Sequence, residues 1–355
     1  MNTETWTEQF ASQPQEACRM PFEDPVYLDP LNSPFSVYNL LPGSYARYPA
    51  EVTSPVSPTL TYLGGMCTGG RIRFRTDSPY LGLCVEFGPG ESGADNAYHS
   101  FDLYEQKAGF LWTSGMMGTA GPFREARVGL VPGMKDLTLY LPLMRQIVSL
   151  RLVLKRGSRL GPGSPYKGDR PIVAYGSSIV HGVGTSRPGM TYPAILSRML
   201  NRDVINLGVS GNARAEENVM RYLSGLPMSV FLFDYDHNTP SVEYLEQTHF
   251  RGYEIFRKAQ PRTPIVFASK VDYYNGDEQG SEKRRQVILQ SFRRAREEMG
   301  DRFVYYVDGP SMYPRDKRDL CTQDRTHPNC MGYYYMAKAF LPVIRQALAD
   351  AGEKA

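Results

Sequence analysis

Long apolar runs, a secretory start and C-x-x-C cysteine pairs are all missing from this 355-residue sequence. No stretch approaches the roughly 18 apolar residues that a membrane span requires, so no membrane partner is expected. The opening MNTETWTEQFASQPQEACRM has neither the basic start nor the apolar core of about 7–15 residues that marks a secretory signal. Five cysteines (Cys18, Cys67, Cys84, Cys321, Cys330) include no C-x-x-C pair and suggest neither a zinc knuckle nor a dense disulfide framework. A reducing, cytoplasmic setting is the simpler expectation, with export the alternative if a leader has been removed. Cys321 and Cys330 bracket a short loop, and a bridge between them stays open.

Charge of one sign is also scarce. Forty basic against 37 acidic residues leave a formal charge of +3, too small a bias to point to nucleic acid. Arg284, Arg285, Arg293, Arg294 and Arg296 do cluster. They alternate with Ile288, Phe292, Ala295 and Met299 at helical spacing, which reads as a solvated helix face. Neither G-x-G-x-x-G nor a Walker-type phosphate loop occurs, and no histidine–carboxylate set has convincing metal spacing. No cofactor and no metal are therefore expected.

What is present divides by rhythm. The chain is longer than one hydrophobic core usually serves, so two domains are expected. From 35 to 156 short runs follow one another: 71–77, 81–87, 100–106, 109–115, 136–143 and 148–155. Broken by Gly and Pro and uninterrupted by a long helical pattern, they predict a β-sandwich or jelly roll, preceded by an N-terminal extension over 1–34. Residues 157–170, rich in Gly, Pro and Ser, read as a linker.

From 171 to 355 strands and helices alternate. Apolar strands at 171–176, 204–209, 230–235, 264–269 and 303–308 are each followed by helical periodicity, near 189–200, 215–224, 241–259, 282–299 and 332–350. This predicts an α/β domain whose parallel sheet carries helices on both faces, in a flavodoxin-like order.

In open parallel sheets, ligands sit beyond the carboxyl ends of the strands. Ser178 follows the first strand behind Gly176 and Ser177, where it is a candidate nucleophile or merely part of a helix cap. Val180 fills the place of the last glycine of G-x-S-x-G, which argues against the α/β-hydrolases. A serine needs a base, and the base needs a group to hold its tautomer. Asp324 and His327, three apart after the last strand, supply both. Asp234 with His237 and Glu246 with His249 share that spacing, but Asp234 belongs to a strand, where residues three apart face opposite ways, and His249 lies mid-helix. Gly211 after the second strand and Asn238 after the third are candidate oxyanion donors, Asn238 being equally readable as a turn residue.

Together, Gly176-Ser177-Ser178, Gly211, Asn238 and Asp324-Arg325-Thr326-His327 resemble the four blocks of the SGNH (GDSL-like) hydrolases. His327-Pro328-Asn329 followed by Gly332 is similar to the family's H-P-N-x-x-G ending. Ser177 stands where aspartate is commonest, and Asp236-His237-Asn238-Thr239 replaces the usual G-x-N-D. Phe101-Asp102-Leu103-Tyr104 is similar to a G-x-D-L-Y feature that precedes some of these esterases. The resemblance implies a three-layer flavodoxin-like catalytic domain with Ser178 as nucleophile, His327 as base and Asp324 as orienting acid. The Ser178 backbone N–H, Gly211 and Asn238 would form the oxyanion hole. It implies hydrolysis of small acyl esters without a cofactor, with acetyl groups on a carbohydrate favoured because many members with an appended β-sandwich act on acylated sugars. Acyl lipids and thioesters are alternatives, as is a carbohydrate-binding protein with a retired hydrolase domain.

Overall fold

The computed structural model describes residues 4–14, 18–90, 99–113, 122–271 and 277–353. Parts of the expected strand at 109–115 and of the opening segment lie outside the described residues. The chain forms two compact units, neither continuous in sequence. One comprises Met1–Arg47, Gly65–Pro165 and Ser186–Gly189; the other comprises Tyr48–Gly64, Tyr166–Thr185 and Met190–Ala355.

The first unit is built from two antiparallel sheets. In the larger, strands run in the order Thr5–Trp6, Arg159–Pro162, Arg71–Thr76, Lys135–Tyr140, Asp102–Glu105 and Gly109–Thr113, with Ser36–Tyr38 also pairing Arg71–Thr76. The smaller sheet orders Pro25–Leu28, Arg145–Lys155, Tyr80–Gly90 and Phe123–Gly129. Alternation sends Ile72, Phe74, Leu137 and Leu139 of one sheet, with Leu81, Leu83, Leu150 and Leu152 of the other, into a common buried cluster. Strand Phe123–Gly129 escapes the sequence pattern because its arginines and glutamate break the apolar run. Pro25–Leu28 lies in the expected extension yet pairs with residues more than a hundred positions away. The D-L-Y residues act inside this unit, where buried Asp102 accepts hydrogen bonds from Arg187 and from the Gly189 N–H, both at 2.8 Å.

The second unit contains a five-stranded parallel sheet, Ile172–Gly176, Val204–Gly208, Val230–Asp234, Ile265–Ala268 and Val304–Val307. Its spatial order is second, first, third, fourth, fifth. Both faces are covered. Ile172, Ala174, Leu232 and Val266 pack with Tyr192 and Leu196 of helix Tyr192–Leu200 and with Tyr333, Met336 and Phe340 of helix Cys330–Asp350. On the opposite face Tyr175, Phe231, Phe233 and Phe267 form a ring cluster with Phe256 and His249 of helix Val242–Ala259. The apolar strands run continuous because neither face meets water.

Helix ends follow their caps. Thr191, Ser241 and Asn329 each accept backbone N–H groups from the first turn and start their helices. The helix expected from 215 instead begins at Glu217, since Ala215 has φ 55°, outside helical geometry. The one expected from 282 begins at Glu278, capped by Asp277.

Candidate active site

Polar residues that follow all five strands meet beyond the sheet's carboxyl edge. Gly176 ends the first strand, and Ser177 caps the short helix Ser178–His181 by accepting the Ile179 N–H at 3.2 Å. Ser177 is therefore occupied as a cap, whereas Ser178 is turned to the cavity. Its Oγ lies 2.9 Å from Nε2 of His327.

The loop before the last helix shapes the other half of the pair. Asn329 caps that helix, and the Gln323 N–H donates to the His327 carbonyl at 3.1 Å, which closes a tight turn. Arg325 makes the turn with φ 67°. Asp324 then faces back on His327. One carboxylate oxygen accepts the backbone N–H groups of Thr326 and His327 at 3.0 and 2.7 Å, and the other lies 2.6 Å from His327 Nδ1. Partial burial pushes the Asp324 carboxyl up, but hydrogen bonds from the His327 ring and from these two amides outweigh it and hold the group below its ordinary range. With a proton on Nδ1 facing Asp324, the Nε2 lone pair would be directed at Ser178 Oγ.

Gly211 follows the second strand with φ 69°, a left-handed conformation that favours glycine. Asn238 closes a single 3₁₀ turn, Asp236–Asn238, after the third strand, and its Oδ1 accepts the Ala213 N–H at 3.3 Å. Ser178, His327, Gly211 and Asn238 all line one cavity of about 460 Å³, and Asp324 stands behind His327.

The other spaced pairs are not assembled. Asp234 is buried at its strand end and accepts from Tyr192 Oη at 3.1 Å. Burial, and then the neighbouring Asp236 charge, push it up to about 8. His249 is buried among Phe233, Tyr235 and Phe267, and burial pushes its pKa down to about 3. His237 does reach the cavity, where burial, with Lys270, His327 and Arg284 nearby, holds it well below its ordinary range and therefore neutral.

Residues 169–345 match the model of the GDSL-like Lipase/Acylhydrolase family. Through this segment the chain belongs to that family. Among solved structures, a protein described as a GDSL-like lipase from Bacteroides ovatus ATCC 8483 aligns at 24% identity over 92% of this chain and 98% of its own, with a TM-score of 0.82. The salicylyl-acyltransferase SsfX3 from a tetracycline biosynthetic pathway aligns at 22% over 94% and 99%, TM-score 0.74. A family two carbohydrate esterase from Clostridium thermocellum, solved with cellohexaose, aligns at 16% over 80% and 94%, TM-score 0.57. At these identities the likeness is one of fold. A search of curated protein sequences gave no match.

Membership of an acylhydrolase family makes this chain an ester-hydrolysing enzyme. The hydrolase also carries cavity residues that sequence reasoning passed over: Ser210, Lys270, Asp277, Ser281 and Arg284. Lys270 falls just after the fourth strand, the position where ligand-facing residues concentrate, and that placement was the signal available. Arg284 was read as part of a solvated face, but its guanidinium turns inward to the carbonyls of Asp236, Thr239 and Ser241 and to the Thr239 hydroxyl. Among the described residues, the grouping with ligand-like spacing for a metal is Cys18, Cys84 and Glu125, and the two cysteines are joined as a disulfide with Cα atoms 6.1 Å apart. Cys67, Cys321 and Cys330 keep their thiols outside this disulfide. The disulfide was not foreseen, because 66 positions separate its partners and no spacing motif marks them. Among the described residues no helix is long and apolar enough to cross a membrane.

Proposed function

We propose that the hydrolase cleaves short acyl esters, acetyl in the first instance, carried on a carbohydrate, with Ser178, His327 and Asp324 as its triad. The observation that carries the reading is the 2.9 Å contact of Ser178 Oγ with His327 Nε2, backed by the 2.6 Å contact of Nδ1 with Asp324. His327 Nε2 takes the Ser178 proton as Oγ attacks the acyl carbon. Charge on the carbonyl oxygen is met by the backbone N–H groups of Ser178 and Gly211 and by the Asn238 carboxamide. His327 then protonates the departing alcohol, and water attacks the acyl-enzyme with the same imidazole as base.

A short acyl group suits the cavity, because every residue lining it is polar, charged or glycine. A long alkyl chain placed there would leave those polar groups without partners. Backbone and side-chain donors and acceptors of this kind suit hydroxyl groups, and the likeness in fold to a carbohydrate esterase is consistent with a sugar as the alcohol. In this reading the two-sheet unit is an accessory β-sandwich and residues 171–355 carry the catalytic site; the expected bounds of 1–34 for an extension, 35–156 for the sandwich and 157–170 for a linker are too narrow for the sandwich, since Thr5–Trp6, Pro25–Leu28 and Arg159–Pro162 are strands of its sheets. A panel of mono-acetylated sugars, acyl-CoA thioesters and lysophospholipids tests it. Turnover of acetylated sugars above the other two supports the reading, and preference for lysophospholipids would replace it with a lipid acylhydrolase.

A further inference from the structure

The helix that presents Ser178 ends in a histidine that acyl transfer does not use. His181 is fully buried, three residues from Ser178, and its Nδ1 accepts the Ser210 N–H at 3.3 Å. Ser210 immediately precedes Gly211, and both line the cavity with Ser178.

Several contacts bring this glycine loop to the nucleophile's turn. The Val209 N–H donates to the Gly176 carbonyl at 2.9 Å, Asn206 Nδ2 donates to the Val180 carbonyl at 2.6 Å, and Asn206 Oδ1 accepts the Gly208 N–H at 2.9 Å. The backbones are so close that a Cβ on Gly208 would lie 2.2 Å from the backbone nitrogen of His181. Those contacts secure the end of the second strand. The His181 contact reaches past it, to the Val209–Ser210 peptide, one before the peptide that carries the Gly211 N–H.

We infer that His181 is a positioning residue, whose unprotonated Nδ1 holds the Ser210–Gly211 loop so that the Gly211 N–H points at the developing oxyanion. The inference rests on the Ser178 esterase reading and adds to it the device that ties nucleophile and oxyanion donor to one short helix. His181 touches no reacting atom. Its effect comes from orientation, because a donor displaced by about an ångström loses much of its transition-state contact.

The test combines two variants with one measurement on the wild-type enzyme. His181→Asn keeps an acceptor, Oδ1, close to where Nδ1 lies, and His181→Leu removes it. On 4-nitrophenyl acetate, His181→Leu is expected to lower kcat by about 10–100-fold with KM changed less than about threefold, below the roughly 10²–10³ of losing a whole donor. His181→Asn is expected to recover kcat to within about fivefold of wild type. The ¹⁵N shifts of His181 in the wild-type enzyme at neutral pH should show Nδ1 unprotonated and Nε2 protonated, a readout that needs neither activity nor a folded variant. A protonated Nδ1, a His181→Leu variant with near-normal kcat, or a His181→Asn variant as impaired as His181→Leu would each overturn the inference. Failure of the esterase reading looks different: wild-type enzyme with the expected tautomer but a Ser178 that no ester acylates.

Discussion

The Ala213 N–H donates to Oδ1 of Asn238 at 3.3 Å, so the loop after the second strand orients a side chain offered by the turn after the third. With Oδ1 engaged by Ala213, Nδ2 is the group of this carboxamide that can donate to the developing oxyanion in the proposed reaction. Asn238→Ala is expected to lower kcat by roughly 10²–10³ with little change in KM. Asn238→Asp keeps an acceptor for Ala213 but loses the donor, and should lose kcat with a smaller fall in thermal midpoint. Measuring both quantities on each variant separates an oxyanion donor from an ordinary turn residue, for which normal kcat and a loss near 1 kcal/mol of stability are expected.

The ranking of histidines tests the topology. His327→Ala should cost about as much as Ser178→Ala, since triad members act as a unit. His249→Ala should act mainly on stability, through the cavity it leaves among Phe233, Tyr235 and Phe267. His237→Ala, at the cavity wall, should shift KM more than kcat. Asp324→Asn should lose at least about 100-fold in kcat, because an amide no longer fixes the Nδ1 proton.

Stability should depend on pH through Asp234. Its folded pKa, about 8, lies above the ordinary carboxylate value of about 3.9, so between those limits the folded state binds more protons than the unfolded state. Stability therefore falls as pH rises through that window. Asp324 contributes with the opposite sign: its depressed pKa adds stability that is present above the ordinary value and lost in acid. Asp234→Asn should flatten the decline in thermal midpoint from about pH 5 to 8, which denaturation scans across that range would check.

Thiol titration of denatured enzyme without reductant should find three reactive thiols, from Cys67, Cys321 and Cys330, and five after reduction. Reduction should lower the thermal midpoint, since a bond closing a 66-residue separation removes on the order of 4 kcal/mol of unfolded-chain entropy. Five free thiols before reduction would contradict the Cys18–Cys84 pairing.

The α/β unit and its candidate site are legible in the sequence because their signals are local. Each parallel strand is one apolar run, and Ser178, Gly211, Asn238, Asp324 and His327 fall in short blocks at strand ends. What escaped depends on distant partners. Pro25–Leu28 becomes a strand only beside Arg145–Lys155, and Cys18 becomes half a disulfide only beside Cys84. Arg284 sits at helical spacing among exposed residues, and nothing in its neighbours foretells three carbonyls from another loop. The role of His181 is likewise invisible until the second strand brings Ser210 against it.

In the proposed reaction Ser178 carries the acyl group. Enzyme mixed with 4-nitrophenyl acetate, quenched in acid during turnover and digested, should yield the acetyl group on the peptide holding Ser177 and Ser178, with fragmentation placing it on Ser178. Ser178→Ala should keep the wild-type thermal midpoint, carry no acetyl group and lose nearly all turnover, whereas Ser177→Ala, which removes only a cap, should still be acetylated. Substantial turnover by Ser178→Ala, or an acetyl group found on Ser177, would exclude Ser178 as the nucleophile.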